Sequence, residues 1–192
     1  MKTTLFILAS LLLMGGSTLS AQRDPVADKR YGIKSAIIKK ETRAAGNTMH
    51  NTLYDDYGAR EATELTMMLG ETEKHLRIIA EDGGRTNVTL DLDEKKAFRT
   101  PAPEQPRNYL HLTAEDLERF KIKEDGEGTV AGRPCKKYSM ELKQSGVTLQ
   151  TTLWIWEGIT LKYEARYQGN LMVTDEATEI HEDATVPAEK FA

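Results

Sequence analysis

The stretch VTLQTTLWIWEGITLKYEARY (147–167) decides the fold class. It reads as two strands that alternate apolar and polar side chains around the turn residues Glu157 and Gly158. Side chains on a strand alternate faces, so the length of each turn fixes which residues share a face. Upstream, Leu142 pairs with Val147 if Lys143 to Gly146 form the loop, which places Met140 opposite Leu149 and Tyr138 opposite Thr151. For the second turn, a two-residue loop, Glu157-Gly158, sets Leu153 against Lys162 and mixes charge with apolar groups on both faces. A three-residue loop, Trp156-Glu157-Gly158, instead pairs Ile155 with Ile159, Leu153 with Leu161, Thr151 with Tyr163, Leu149 with Ala165 and Val147 with Tyr167. That choice gives one apolar face, and Gly158 supplies the left-handed residue such a hairpin needs. A five-residue loop keeps the same parity, so the faces are firmer than the turn. The opposite face is polar, from Thr148 to Arg166.

On this register Trp154 falls on the polar face and Trp156 in the turn. Two readings follow. Either another element covers them, or they form an exposed aromatic tip that touches a partner, a ligand or a membrane surface.

Working outward, the chain before this unit alternates at Tyr31 to Glu41, at Met49 to Leu53, at Leu65 to Leu69, at Leu76 to Ala80, at Val88 to Leu92 and at Ala97 to Arg99. Period-2 patterning broken by Gly, Asn and Asp clusters marks an antiparallel sheet. Pro101, Pro103 and Pro106 then stiffen a loop. Thr113 and Asp116 stand at capping-box positions, and Leu112 and Leu117 at those of a hydrophobic staple, which predicts a helix over about 113–121. Lys123 to Thr129 reads as a charged, glycine-containing loop. After Tyr167 the Gln168-Gly169-Asn170 turn leads to a last strand through Leu171 and Val173, and the alternation fails past Asp175. The expected fold is mainly β (α+β): a strongly curved antiparallel sheet, or half-open barrel, of about ten strands with the helix on its concave side.

The first residues have the form of a cleavable export signal: Lys2, an apolar run from Leu5 to Met14, and small residues ending at Ala21. The run is too short to span a bilayer, which takes about 20 apolar residues. We therefore expect a signal peptide at 1–21, a flexible lead-in at 22–30 and a single domain at 31–192, in a periplasmic or secreted protein. No cysteine stands near the cleavage point to carry a lipid. Cys135 is the only cysteine, so no internal disulfide is possible. A formal net charge of −4, well mixed along the chain, argues against nucleic acid, which favours a basic surface.

Three stretches carry a family likeness: AGRPCKKY (131–138), LWIWEGITLKYE (153–164) and VPAEKF (186–191). They resemble a family of small exported proteins of Bacteroidetes-type Gram-negative bacteria. That family is similar to the superfamily of the periplasmic lipoprotein carrier, LolA-like and LppX-like. The resemblance implies a half-open barrel whose concave face accepts acyl chains, and the order of elements agrees: strands, a proline loop with a helix, then strands.

Residues on the expected apolar face are the candidate lining of such a concavity: Met67, Leu90, Tyr138, Met140, Leu149, Leu153, Leu161, Tyr163 and Tyr167, with Leu117 and Phe120 from the helix. Packed without a cavity, the same residues are simply core. Trp154 and Trp156 are the candidate partner contacts. No motif points to catalysis. Cys135 lies between cations but has no histidine near in sequence. His50, His75, His111 and His181 show no ligand spacing, and the acidic run Asp175 to Asp183 reads as a charge-guarded strand. The expectation is a non-enzymatic binding or carrier protein for a lipid or other apolar ligand, without cofactor or metal; the alternative is a cell-envelope protein–protein interaction module.

Overall fold

The computed structural model describes residues 29–44, 47–102, 104–106, 108–144 and 146–192. The expected signal peptide and most of the lead-in lie outside them. The last two lead-in residues are tied to the fold: the Arg30 amide donates to the Tyr57 carbonyl at 3.0 Å, and the Lys29 ammonium sits 3.7 Å from the Tyr57 ring centre.

Eleven strands form one antiparallel sheet. The first meander runs β1 (Ala36–Arg43), β2 (Asn47–Asp55), β3 (Arg60–Leu69), β4 (Thr72–Glu81), β5 (Thr86–Asp91) and β6 (Lys96–Pro101). The second runs β7 (Lys123–Val130), β8 (Arg133–Gln144), β9 (Val147–Trp156), β10 (Ile159–Tyr167) and β11 (Asn170–Glu182). Pairing of β1 with β11 joins them, so the spatial order is β6-β5-β4-β3-β2-β1-β11-β10-β9-β8-β7. The sheet is open, with β6 and β7 at opposite edges. That order explains the proline loop and helix. To pass from β6 to β7 the chain must cross the width of the sheet, at most about 48 Å for ten strand spacings laid flat. The described residues between 102 and 122 make this crossing over one face, on which Tyr109, Leu112, Phe120 and Ile122 pack. Helix α1 (Ala114–Arg119) lies within the crossing, and its capping box is formed: the Asp116 amide donates to Thr113 Oγ1 at 3.1 Å, and the Thr113 amide donates to Asp116 Oδ2 at 3.0 Å.

The register differs from the sequence expectation in an instructive way. Gln144 pairs with Val147, and Leu142 with Leu149, so the first connection is two residues shorter than expected. Trp156 pairs with Ile159 across a two-residue turn, Glu157-Gly158, in which both residues have positive φ. Such a turn matches the twist of the flanking strands. A bulge between Thr160 and Lys162 then inserts one residue, so that Leu153 pairs with Tyr163 and Thr151 with Ala165. The pairs are displaced by two from those expected, and the faces are therefore preserved.

Other expectations are corrected. Lys123 to Thr129 is not a loop but edge strand β7. It has no apolar alternation because most of it is exposed, and its irregular pairing between Glu124 and Glu127 guards the edge. Strand β11 runs on to Glu182, past the point where alternation fails, because a register shift lies opposite Lys39/Lys40 in β1. Leu117 is 42% exposed and is no part of a helix stripe; Phe120, just past the helix, is buried instead.

Three apolar clusters hold the sheet. Phe120 and Ile122 from the crossing segment pack on Tyr138, Met140, Leu153 and Ile155. On the opposite face, Leu53, Ala62 and Ile79 are covered by Val186 and Phe191 of the C-terminal segment. The third lies where β10 and β11 part company. Their ladder reaches only Lys162 and Glu176, after which β11 follows β1 alone. Ile38, Tyr54, Ile159, Leu161, Ala177 and Cys135 cluster there, with an Arg133–Glu182 ion pair alongside.

A candidate ligand cleft on the covered face

A cleft of about 400 Å³ opens between the crossing segment and the sheet. One wall is apolar: Pro106 and Tyr109 from the crossing segment, Leu142 from β8, Leu153 from β9 and Tyr163 from β10. The other is polar and comes from the centre of the sheet: Lys40 of β1, His50, Thr52 and Tyr54 of β2, and Asp175 of β11. These groups meet because β2, β1 and β11 are neighbours, although up to 135 residues separate the partners in sequence.

Asp175 organises the polar wall. Its Oδ2 accepts from Lys40 Nζ at 2.9 Å, and its Oδ1 accepts from Thr42 Oγ1 at 2.8 Å and lies 2.7 Å from His50 Nε2. Burial alone would raise its pKa. The hydrogen bonds of His50 and Lys40 and the Lys40 charge outweigh burial and hold the carboxyl well below the usual carboxylate range. Lys40 is itself buried. A second cluster sits at the same cleft: Tyr31 donates to Glu61 Oε2 at 2.7 Å, and Arg30 lies 3.2 Å from the same oxygen. The Tyr31 and Tyr54 rings pack at 4.9 Å, and burial pushes both phenols up.

Of the residues expected to line a concavity, Leu153 and Tyr163 line this cleft. Tyr138, Met140 and Phe120 form the buried layer beside it, where the Tyr109 hydroxyl lies 3.7 Å from Met140 Sδ. Leu161 is fully buried, in the cluster at the parting of β10 and β11. Leu149 pairs with Leu142 and is half-buried. Met67 is on the same face but outside the cleft. Tyr167 and Leu117 are exposed. Leu90 is a correction: its pairing with Arg77 puts it on the opposite face, with Val88 against the C-terminal segment. The parity of β5 depends on turns that the sequence pattern did not fix.

Trp154 and Trp156 are half-buried and do not project as a bare tip. Trp154 lies between the Lys137 and Lys162 ammonium groups, 5.2 and 5.0 Å from its ring centre, and against Gly128 of β7, where any side chain would strike the indole. Arg133 stands 5.4 Å from Trp156. The Cys135 thiol is buried, and burial raises its pKa. Sequence reasoning missed Lys40, His50, Tyr54 and Asp175. The one available signal was the buried-polar pattern itself: charged residues at inward positions of β1, β2 and β11.

No family model and no curated relative matches the sequence. Solved structures do. MucB is similar at a TM-score of 0.53 and 16% identity, over 88% of this chain and 60% of MucB. The Pseudomonas aeruginosa MucA/MucB complex is similar at the same score and identity, over 88% of this chain and 57% of that one. An uncharacterized conserved protein from Thermus thermophilus is similar at a TM-score of 0.53 and 6% identity, over 86% and 89% of the two chains. This chain thus spans about 60% of the length of MucB. At these identities the likeness is one of fold. A Vibrio parahaemolyticus domain assigned provisionally to outer membrane lipoprotein sorting overlaps at a TM-score of only 0.30 and bears no weight.

Proposed function

We propose that this protein is an exported, non-enzymatic binding or carrier protein, and that it holds the apolar part of a lipid or other amphiphile in the cleft between the crossing segment and the sheet. The observation that carries this reading is the cleft itself. Its volume of about 400 Å³ falls within the range of small-molecule sites. Its wall of Pro106, Tyr109, Leu142, Leu153 and Tyr163 suits a hydrocarbon chain, and the facing wall is polar. The open antiparallel sheet is shared with MucB.

The test is extraction of the protein purified from its own cell envelope, followed by mass spectrometry. An acyl compound should co-purify, and Tyr163→Arg, which puts charge on the apolar wall, should abolish its retention. A protein free of any such compound, with no affinity for an apolar fluorescent probe, sinks the reading.

A second reading is a protein-interaction module of the envelope. Two of the similar structures are complexes of MucB with MucA. Here β6 presents an unpaired strand edge with Phe98 56% exposed, which a partner strand can extend.

A further inference from the structure

The polar wall of the cleft constrains the head group of whatever lies there. Its charges are already matched. Lys40 is paired with Asp175 at 2.9 Å, and Arg30 with Glu61 at 3.2 Å. A carboxylate entering the cleft would approach two carboxylates whose cations are committed. A cationic head would approach two ammonium or guanidinium groups on the same terms. Either ion would lose hydration without gaining a partner.

Two groups of the cleft lining are unmatched. Of the cleft's lining, the Tyr54 hydroxyl and His50 Nδ1 are buried with no hydrogen-bond partner; among the described residues Arg133 Nε, away from the cleft, is the other such atom, and Tyr54 as a whole is only 2% exposed. Leaving such atoms unpaired is costly, so their lack of partners points to a bound group that supplies them. Their chemistry is specific. Ionised Asp175 only accepts, so His50 Nε2 carries the proton directed at it, and in the neutral ring Nδ1 is then an acceptor. An acceptor needs a donor, which a carboxylate or a quaternary ammonium cannot be. A hydroxyl serves both places: it accepts from Tyr54 and donates to His50. The two residues are four apart on β2, a Cα separation of about 13 Å, so several hydroxyls serve better than one.

We infer that the cleft takes an amphiphile with a neutral, hydroxyl-rich head group, a polyol or glycosyl lipid, in preference to a free fatty acid or a cationic lipid. This rests on the reading of the cleft as the ligand site and names the ligand class for it.

The test is calorimetric titration of the purified protein with three twelve-carbon amphiphiles below their micelle concentrations: dodecyl maltoside, laurate and dodecyltrimethylammonium. The maltoside should bind about tenfold more tightly than laurate, the ratio one well-made hydrogen bond provides. Tyr54→Phe removes an unpartnered hydroxyl; it should not lower the melting temperature, and it should weaken the maltoside and bring the ratio toward one. Laurate or the ammonium binding as tightly as the maltoside, or a ratio unmoved by Tyr54→Phe, overturns the head-group assignment while leaving the cleft as the site. Absence of binding by all three overturns the cleft reading, and the head-group assignment with it.

Discussion

His50 Nε2 reaches across β1 to lie 2.7 Å from Asp175 Oδ1, so that β2 and β11 are tied through side chains as well as through the strand between them. Thr42 and Lys40 of that middle strand bond the same carboxylate. The two meanders of the sheet are thus fastened at their junction by one half-buried acid.

Asp175→Asn should therefore weaken the fold. It leaves the buried Lys40 ammonium without its counter-charge, and breaking one side of a buried pair costs about 3 kcal/mol. Urea unfolding at neutral pH measures this. A midpoint equal to wild type would mean that the pair contributes nothing to the junction.

The same acid sets the acid limb of stability. Its folded-state pKa lies below the unfolded value of about 3.9, so its contribution is complete above that pH and disappears as pH falls through the folded value. Between about pH 5 and pH 2 wild type should lose stability more steeply than Asp175→Asn. Parallel curves for the two proteins would contradict this.

Leu161 has no exposed surface and lies where β10 and β11 separate. Leu161→Asp buries an unpaired charge, and we expect a loss of several kcal/mol, about 4 or more, with Leu161→Ala costing about 3. Thermal melts of both variants give the order. Near wild-type stability of the aspartate variant would place this side chain at the surface.

Gly158 has φ +79°, and a Cβ there would lie 2.5 Å from the Arg30 carbonyl oxygen and 2.9 Å from Leu110 Cγ. Gly158→Ala should cost about 2 kcal/mol from backbone strain and the displaced segment. Limited proteolysis should then cut near Arg30 faster than in wild type. Unchanged cleavage would show that the segment is not anchored on this turn.

The C-terminal segment covers Leu53, Ala62 and Ile79, and Lys190 holds Glu64 at 2.9 Å. Removing residues 186–192 should lower the melting temperature and raise binding of an apolar dye such as anilinonaphthalene sulfonate. A truncated protein that binds no more dye than wild type would mean that this face does not need its cover.

The sequence alone was enough to identify an antiparallel β protein and the shared faces of β8, β9 and β10. Faces survive a register shift of two, which is why Leu153 and Tyr163 fall on one wall although their pairing was misjudged. The capping box at Thr113 was equally local and equally readable. Tertiary structure alone decided what lay outside local pattern. Strand β7 is charged and exposed, so no alternation announced it; only pairing with β8 makes it a strand. Leu90 took the other face because each turn back to β1 can reverse parity. The polar wall is the plainest case. Lys40, His50 and Asp175 look like ordinary surface charges along the chain, and only the pairing of β1 with both β2 and β11 buries them together. Burial then makes the Lys40 and Asp175 charges answer one another and leaves Tyr54 and His50 each with an atom to be satisfied.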